Sequence, residues 1–518
     1  MRVLVIGMDG ATPQLLFPWA EEGKLPNIAE LIEEGVSGNL RSTIPPMSAP
    51  AWVSFMTGKN PGKHGIYHYI EYVHETYDYR VVTSSDIKSR RLWSILSDFG
   101  KKVGVVQVPM VYPPDKVNGF FISGGLTTPS DENINFTYPP DLRDLLIKKF
   151  KFKIGITERC YEGNEDNFLA DVNYTDERKA KVTLYLMKNY DWDFFMVVFV
   201  NLDAVQHFFW RYMDTTHPGY DPEKAKKYGD AILNCYKKYD GFIGKMLDVI
   251  DDETTVIVMS DHGFGPLYKE LHLNKWLMDK NLLKVKEKKD IPFHRYLLSR
   301  TGLTREMVAT LVNKLHLEKI AKSMPKRLKR ALPSHYVPFE IDWSRTKAYS
   351  VATHGLLYIN LKGRNPSGIV EPGEEYEELR NYIIRELYKL KDPENGKKIV
   401  VRVYKREELY RGKYVNKAPD LLVMTDMTYQ NIGTLDNTLL RPSWKPEEGK
   451  LSLLTKQRPL ASGSHRMEGI FIMKGENVKR NEKIKNAEII DIAPTILHMM
   501  GVPVPLDMDG KVLKDAFK

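Results

Sequence analysis

Six side chains of metal-ligating type stand in four short stretches of this chain. Asp9 closes "RVLVIGMD", Asp203 and His207 lie in "NLDAVQH", Asp261 and His262 in "MSDHGFG", and His465 in "SGSHRMEG". If the segment after Asp203 is helical, a spacing of four puts Asp203 and His207 on one face, where both reach a single ion. Each stretch has a plain structural alternative: a strand-end Asp often serves a turn, and a DHG turn uses Asp hydrogen bonds and a flexible Gly. Taken together, three carboxylates and three imidazoles suit two oxygen- and nitrogen-ligated ions. The lack of thiolates points to a catalytic rather than a closed structural site, with zinc the first expectation and manganese the alternative.

A seventh candidate is Ser48 in "PPMSAPAWVSFMTGKNPGKHG", residues 45–65. Pro50 suits the first turn of a helix, so Ser48 stands at a helix N-terminus whose free N–H groups favour an anion. Two readings follow: a helix cap, the commonest role of Ser before a helix, or a nucleophile. Lys59 and His64 beyond that helix, and His354 in "VATHGLLYIN", are candidates for substrate contact beside ordinary surface or core roles. "INLKGRNPSG" with Arg364 offers an anion loop, although its Asn, Pro and Gly explain a turn unaided. The aromatics of "FFWRYMD" can stack on a ligand or pack in the core.

What must position these residues is an alternation of short β-branched runs with longer amphipathic stretches. "RVLVIGMD", "KVGVVQVP", "NGFFISGG", "DFFMVVFVNLD" and "TTVIVMSDHG" read as strands; "LPNIAELIEEG" and "ERKAKVTLYLMKNY" read as helices. The fold class is therefore α/β, a mostly parallel central sheet flanked by helices on both faces. Polar residues gather just past the C-terminal strand ends, where such sheets hold ligands. Residues 1–270 form the first part of this core. Residues 271–417 read as an inserted α+β cap region, first Lys-rich and helical around "HRYLLSRTGLTREMVATLVNKLHLEKIAKSM", then strand-bearing at "KAYSVATHGLLYINLKG" and "KIVVRVYK". In residues 418–518 "APDLLVMTD" rejoins the main sheet, followed by a last strand "GIFIMKG" and a helix "IIDIAPTILHMMG".

Length and composition narrow the class further. With 518 residues the chain buries a sizeable core, and 42% apolar with 28% charged residues excludes fibrous and disordered classes. Cys160 and Cys235 form neither a disulfide framework nor a CxxC metal site, and no apolar run reaches a membrane span, so a cytoplasmic protein is expected. The net charge of +9 is local: Lys284–Arg330 carries fourteen Lys or Arg against four Asp or Glu, and the remainder is near neutrality. That segment is a solvated helical face or a contact for anionic substrates, nucleic acid or membrane headgroups.

In order along the chain, these stretches resemble the motifs of the alkaline phosphatase superfamily, and within it the type I phosphodiesterase and nucleotide pyrophosphatase family. "VLVIGMDG" is similar to its first metal strand and "SAPAWVSFMTGKNPGKHGI" to its nucleophile helix. "NLDAVQH", "MSDHGFG" and "SGSH" are similar to its remaining ligand motifs, and "DIAPTIL" with "GVPVPLDMDG" to its C-terminal signature. The resemblance implies two divalent ions per chain, one on Asp203, His207 and His465, the other on Asp9, Asp261, His262 and the Ser48 oxygen. It implies hydrolysis of a small phosphate ester, most simply a diester, through a phosphoseryl intermediate. The alternatives are a phosphomonoesterase or phosphonate hydrolase of the same superfamily, and a non-enzymatic anion-binding protein. Two positions depart from related patterns. Ala51 stands where nucleotide pyrophosphatases carry a phosphate-contacting Asn, and Trp52 where sulfatases require Arg.

Overall fold

The computed structural model of the chain describes residues 1–125, 127–128, 134–286, 341–436, 438–444 and 461–518. The basic segment beyond residue 286, and with it the expected helices around 294–324, lies outside the described residues.

Among the described residues, nine strands form the main sheet, in the order Glu482–Glu488, Val36–Arg41, Glu468–Lys474, Thr254–Met259, Arg2–Met8, Phe194–Phe199, Val103–Val106, Gly119–Ile122, Thr137–Tyr138. The central three, Thr254–Met259, Arg2–Met8 and Phe194–Phe199, run parallel. Their near-continuous apolar sequence is what a strand covered on both faces requires. Side chains alternate between two cores: Leu4, Ile6, Met8, Phe195, Val197 and Phe199 face one, and Val3, Val5, Phe194, Met196 and Val198 the other. The first core is closed by helices Pro26–Glu33, Asn201–Met213 and Ala231–Leu247; the second by Ser48–Thr57, Leu92–Asp98 and Ile492–Met499. The α/β class with helices on both faces is thus what the chain adopts.

One strand assignment is corrected. The run in "APDLLVMTD" is a strand, Leu421–Thr425, but it does not rejoin the main sheet. It pairs antiparallel with Leu356–Ile359 and Val400–Lys405 in a second sheet of four strands, completed by Ala348–Ser350. The helix Glu374–Leu387 packs into the core of this second sheet. The chain returns to the main sheet at Glu468–Lys474, which pairs antiparallel with Thr254–Met259 and Val36–Arg41. Nor is that strand the last, since Glu482–Glu488 follows it at the sheet edge.

In the second sheet the Arg364 guanidinium grips Asp420, Nη1 to Oδ1 at 2.8 Å and Nη2 to Oδ2 at 2.6 Å. Asp420 also accepts from the Tyr376 hydroxyl (2.6 Å) and the Ile359 N–H (2.7 Å). Arg364 therefore serves the turn structurally, and the anion-loop reading of "INLKGRNPSG" falls away.

Candidate active site

The candidate ligands gather around the strand ends of the main sheet. Asp9 follows Arg2–Met8, Asp203 and His207 share a face of Asn201–Met213, and Asp261 and His262 follow Thr254–Met259. His465 lies on the short strand Gly463–Arg466, opposite Phe264 of Gly263–Pro266. The parallel strands end side by side, so residues more than 450 positions apart in sequence meet. Asp203, His207 and His465 form one group whose ligand atoms lie within 4.8 Å of one another, and Asp9, Asp261 and His262 form a second.

Asp203 links the groups. Its carboxylate is 3.0 Å from His465 Nε2, 3.5 Å from His207 Nε2 and 4.0 Å from His262 Nε2. His262 Nε2 is 3.3 Å from Asp261 and 3.7 Å from Asp9, and its ring stacks on His465 at 3.8 Å. The three imidazoles share one arrangement: Nδ1 of His207, His262 and His465 lies 2.8, 3.1 and 3.0 Å from the carbonyl oxygens of Gly463, Gly263 and Pro46. A carbonyl only accepts, so each Nδ1 carries the hydrogen and each Nε2 turns a lone pair inward. Nε2 of His207 and His465 are only 3.1 Å apart. Two facing lone pairs repel unless a cation lies between them, and carbonyl-anchored imidazoles are the usual support of metal-ligating His. Asp203 Oδ1 and Asp261 Oδ2 are buried with no hydrogen-bond partner. The donor set fits divalent ions.

Charge tells the same story. Burial, with Asp261 and Asp203 close by, pushes Asp9 well above the usual carboxylate range. Burial also raises Asp261. Burial acts on Asp203 in the same sense, but His207, His465 and His262 outweigh it and hold it below its ordinary value. Burial and the neighbouring His262 lower His465 to about 3, which keeps the ring neutral and able to ligate.

Ser48 opens the helix Ser48–Thr57, but Met47 occupies the cap position. The Ser48 hydroxyl instead lies 3.2 Å from Asp9 Oδ1 and 3.1 Å from His262 Nε2. The cap reading therefore yields to a hydroxyl held inside the second group of ligands. One turn on, Trp52 donates its indole N–H to the other Asp9 oxygen at 3.0 Å. Sequence reading missed this role of Trp52; its i, i+4 spacing from Ser48 on a buried helix was the available signal.

The substrate candidates divide. Lys59 is buried with its ammonium on Asp507, and His64 is enclosed with Nε2 3.0 Å from the Ser54 hydroxyl, its pKa pushed down to about 3 by burial. Both serve the far end of the Ser48 helix, so neither joins the cluster. His354 does: its ring packs on His465 at 5.1 Å and its buried Nε2 has no hydrogen-bond partner. It also lines a cavity of about 460 Å³ beside the cluster, with Pro45, Pro46, Trp210, Phe264 and Met424. The "FFWRYMD" aromatics divide as well, Phe209 in the core and Trp210 in the cavity wall.

A doubly wound sheet carrying a serine and two acid–imidazole groups at its strand ends defines a phosphoester hydrolase with an alkaline phosphatase-like fold. The chain matches the model of the type I phosphodiesterase / nucleotide pyrophosphatase family over residues 3–450 and belongs to that family. Among solved structures it is similar to human ectonucleotide pyrophosphatase / phosphodiesterase 5, at 12% identity over all of both chains with a TM-score of 0.53. An inactive variant of the murine protein in complex with AMP gives the same identity and coverage and a TM-score of 0.52. Phosphonoacetate hydrolase from Sinorhizobium meliloti, in complex with phosphonoformate, is 15% identical over 95% of this chain and 94% of its own, with a TM-score of 0.54. No curated protein matches the chain.

Proposed function

We propose that this hydrolase cleaves a small phosphodiester through a phosphoseryl intermediate on Ser48. The observation that carries the reading is the Ser48 hydroxyl set between Asp9 and His262, beside three imidazoles whose Nε2 lone pairs all turn inward. Two divalent ions, zinc or manganese, held by Asp203, His207 and His465 and by Asp9, Asp261, His262 and Ser48, would lower the serine pKa and neutralise charge at phosphorus.

The chain's own residues do the rest. Trp52 and the Ser48 hydroxyl occupy the two oxygens of Asp9 and so fix the orientation of that carboxylate. The first turn of Ser48–Thr57 directs its positive end at the phosphoryl oxygens. Attack by Ser48 Oγ forms the new O–P bond as the ester bond opposite breaks, and water then releases the phosphoryl group from the serine. His354, with Nε2 unpartnered in the cavity wall, contacts the substrate.

Bis(p-nitrophenyl) phosphate and p-nitrophenyl phosphate on zinc- or manganese-loaded protein provide the test. Faster turnover of the diester is expected. Faster turnover of the monoester overturns the diester preference, and no hydrolysis across a phosphate-ester panel overturns the enzyme.

A further inference from the structure

The cavity wall beside the cluster holds a guanidinium that no carboxylate pairs among the described residues. Arg466 follows His465 on Gly463–Arg466 and donates through Nη1 to the carbonyl oxygens of Ser464 (3.0 Å) and His465 (2.8 Å), and through Nη2 to that of Pro266 (2.5 Å). Three of its five hydrogens are thereby engaged. The Nε hydrogen and one Nη2 hydrogen have no acceptor among the described residues, and such N–H groups bind carboxylates and phosphates. Gly265 makes room for this group: a Cβ there would lie 2.6 Å from Nε and 2.8 Å from Nη2. Asp426 lines the same cavity but is turned to the Thr428 N–H and hydroxyl, at 3.2 and 3.0 Å. Carbonyl dipoles and an Asp426 turned to other partners compensate a cation poorly, so the site is built to receive an anion.

The cavity also has a side. His465 is in its wall, whereas Ser48, Asp9, Asp261 and His262 are not. In an in-line displacement the departing group leaves opposite the attacking oxygen. The cavity thus adjoins the ligand group that contains His465 rather than the one that contains Ser48, the side that a group departing opposite Ser48 would take.

Resting on the hydrolase reading above, we propose that Arg466 determines specificity by binding an anionic group on the departing half of the substrate, so that the leaving group carries a carboxylate or a phosphate of its own. The surrounding Trp210, Phe264 and Met424 pack the apolar body between that charge and the scissile ester.

Three matched probes test this: methyl p-nitrophenyl phosphate and its 3-carboxy and 3-phosphonooxy derivatives on the nitrophenyl ring. Wild type is expected to favour at least one charged probe in kcat/KM by about tenfold or more, mainly through KM, as a charge-assisted hydrogen bond provides. The favoured probe names the group. Arg466→Gln should bring the ratio to near one. Gly265→Ala, which leaves the arginine in place but takes its space, should lower the ratio too. A second readout needs no turnover: calorimetric binding of the same probes to Ser48→Ala, alone and combined with Arg466→Gln, should show the same preference and its loss. A wild-type ratio near one, or a ratio that survives Arg466→Gln, overturns the proposal. Should none of the probes be hydrolysed, the hydrolase reading falls, and the binding ratio still decides on Arg466.

Discussion

Two sites in this molecule take carboxylates out of water and treat them in opposite ways. Around Asp420 the chain supplies everything: a bidentate Arg364, the Tyr376 hydroxyl and the Ile359 N–H. Burial raises the Asp420 pKa, but Arg364 outweighs it and leaves it lowered. Around Asp9, Asp203 and Asp261 no Lys or Arg pairs with the acids among the described residues; two carboxylate oxygens lack partners, and Asp9 and Asp261 are raised. A self-sufficient buried acid holds the fold together, while a cluster left short of cations by its own chain keeps a place for a ligand.

The contrast can be broken most forcefully at the serine. Ser48→Ala is expected to abolish turnover while the protein still binds two ions per chain by equilibrium dialysis; retained activity would sink the covalent route. Next in size, Asp420→Asn strands Arg364 in the interior and should cost about 3–5 kcal/mol in denaturant unfolding without changing ion stoichiometry.

Chelation should remove activity and lower the melting temperature, since ions at 100 times their Kd stabilise the fold by about 2.7 kcal/mol. In the chelated protein, Asp9→Asn should raise the melting temperature, because it replaces a carboxylate whose charged form burial and the nearby Asp261 and Asp203 disfavour. A fall would show that the second cluster, like Asp420, is satisfied internally.

Acid sharpens the comparison. Since the folded Asp420 pKa is lowered, its stabilisation is full above the ordinary carboxylate pKa and is lost as pH falls through the lowered value. Acid unfolding of Asp420→Asn should therefore lack part of the wild-type pH dependence below about 4. The smallest effect is expected at Lys59, whose partner Asp507 is exposed: Lys59→Ala should alter kcat/KM little and cost about 0.2–1 kcal/mol.

Much of this architecture was legible in local pattern. The apolar runs before Asp9, Asp203 and Asp261 could hardly be anything but buried strands, and the four-residue spacing of Asp203 and His207 needed only a helix to become a ligand pair. The errors have physical causes. An apolar run such as Leu421–Thr425 reads alike whichever sheet it joins, because its sequence carries burial but not its neighbours. Lys59 and His64 follow the nucleophile closely in sequence, yet a ten-residue helix carries the chain about 15 Å away from Ser48. His354 and Arg466 became informative only once tertiary packing set one on His465 and the other over Gly265.

The position of Glu468–Lys474 has a consequence for the nascent chain. This strand slots between Val36–Arg41 and Thr254–Met259, both of which leave the ribosome hundreds of residues earlier. Until it arrives, those two present unpaired edges open to wrong partners. The arriving strand directly follows the segment that bears His465. Joining these two strands and delivering the last imidazole of the cluster are one event, so a chain that stops short of it lacks both.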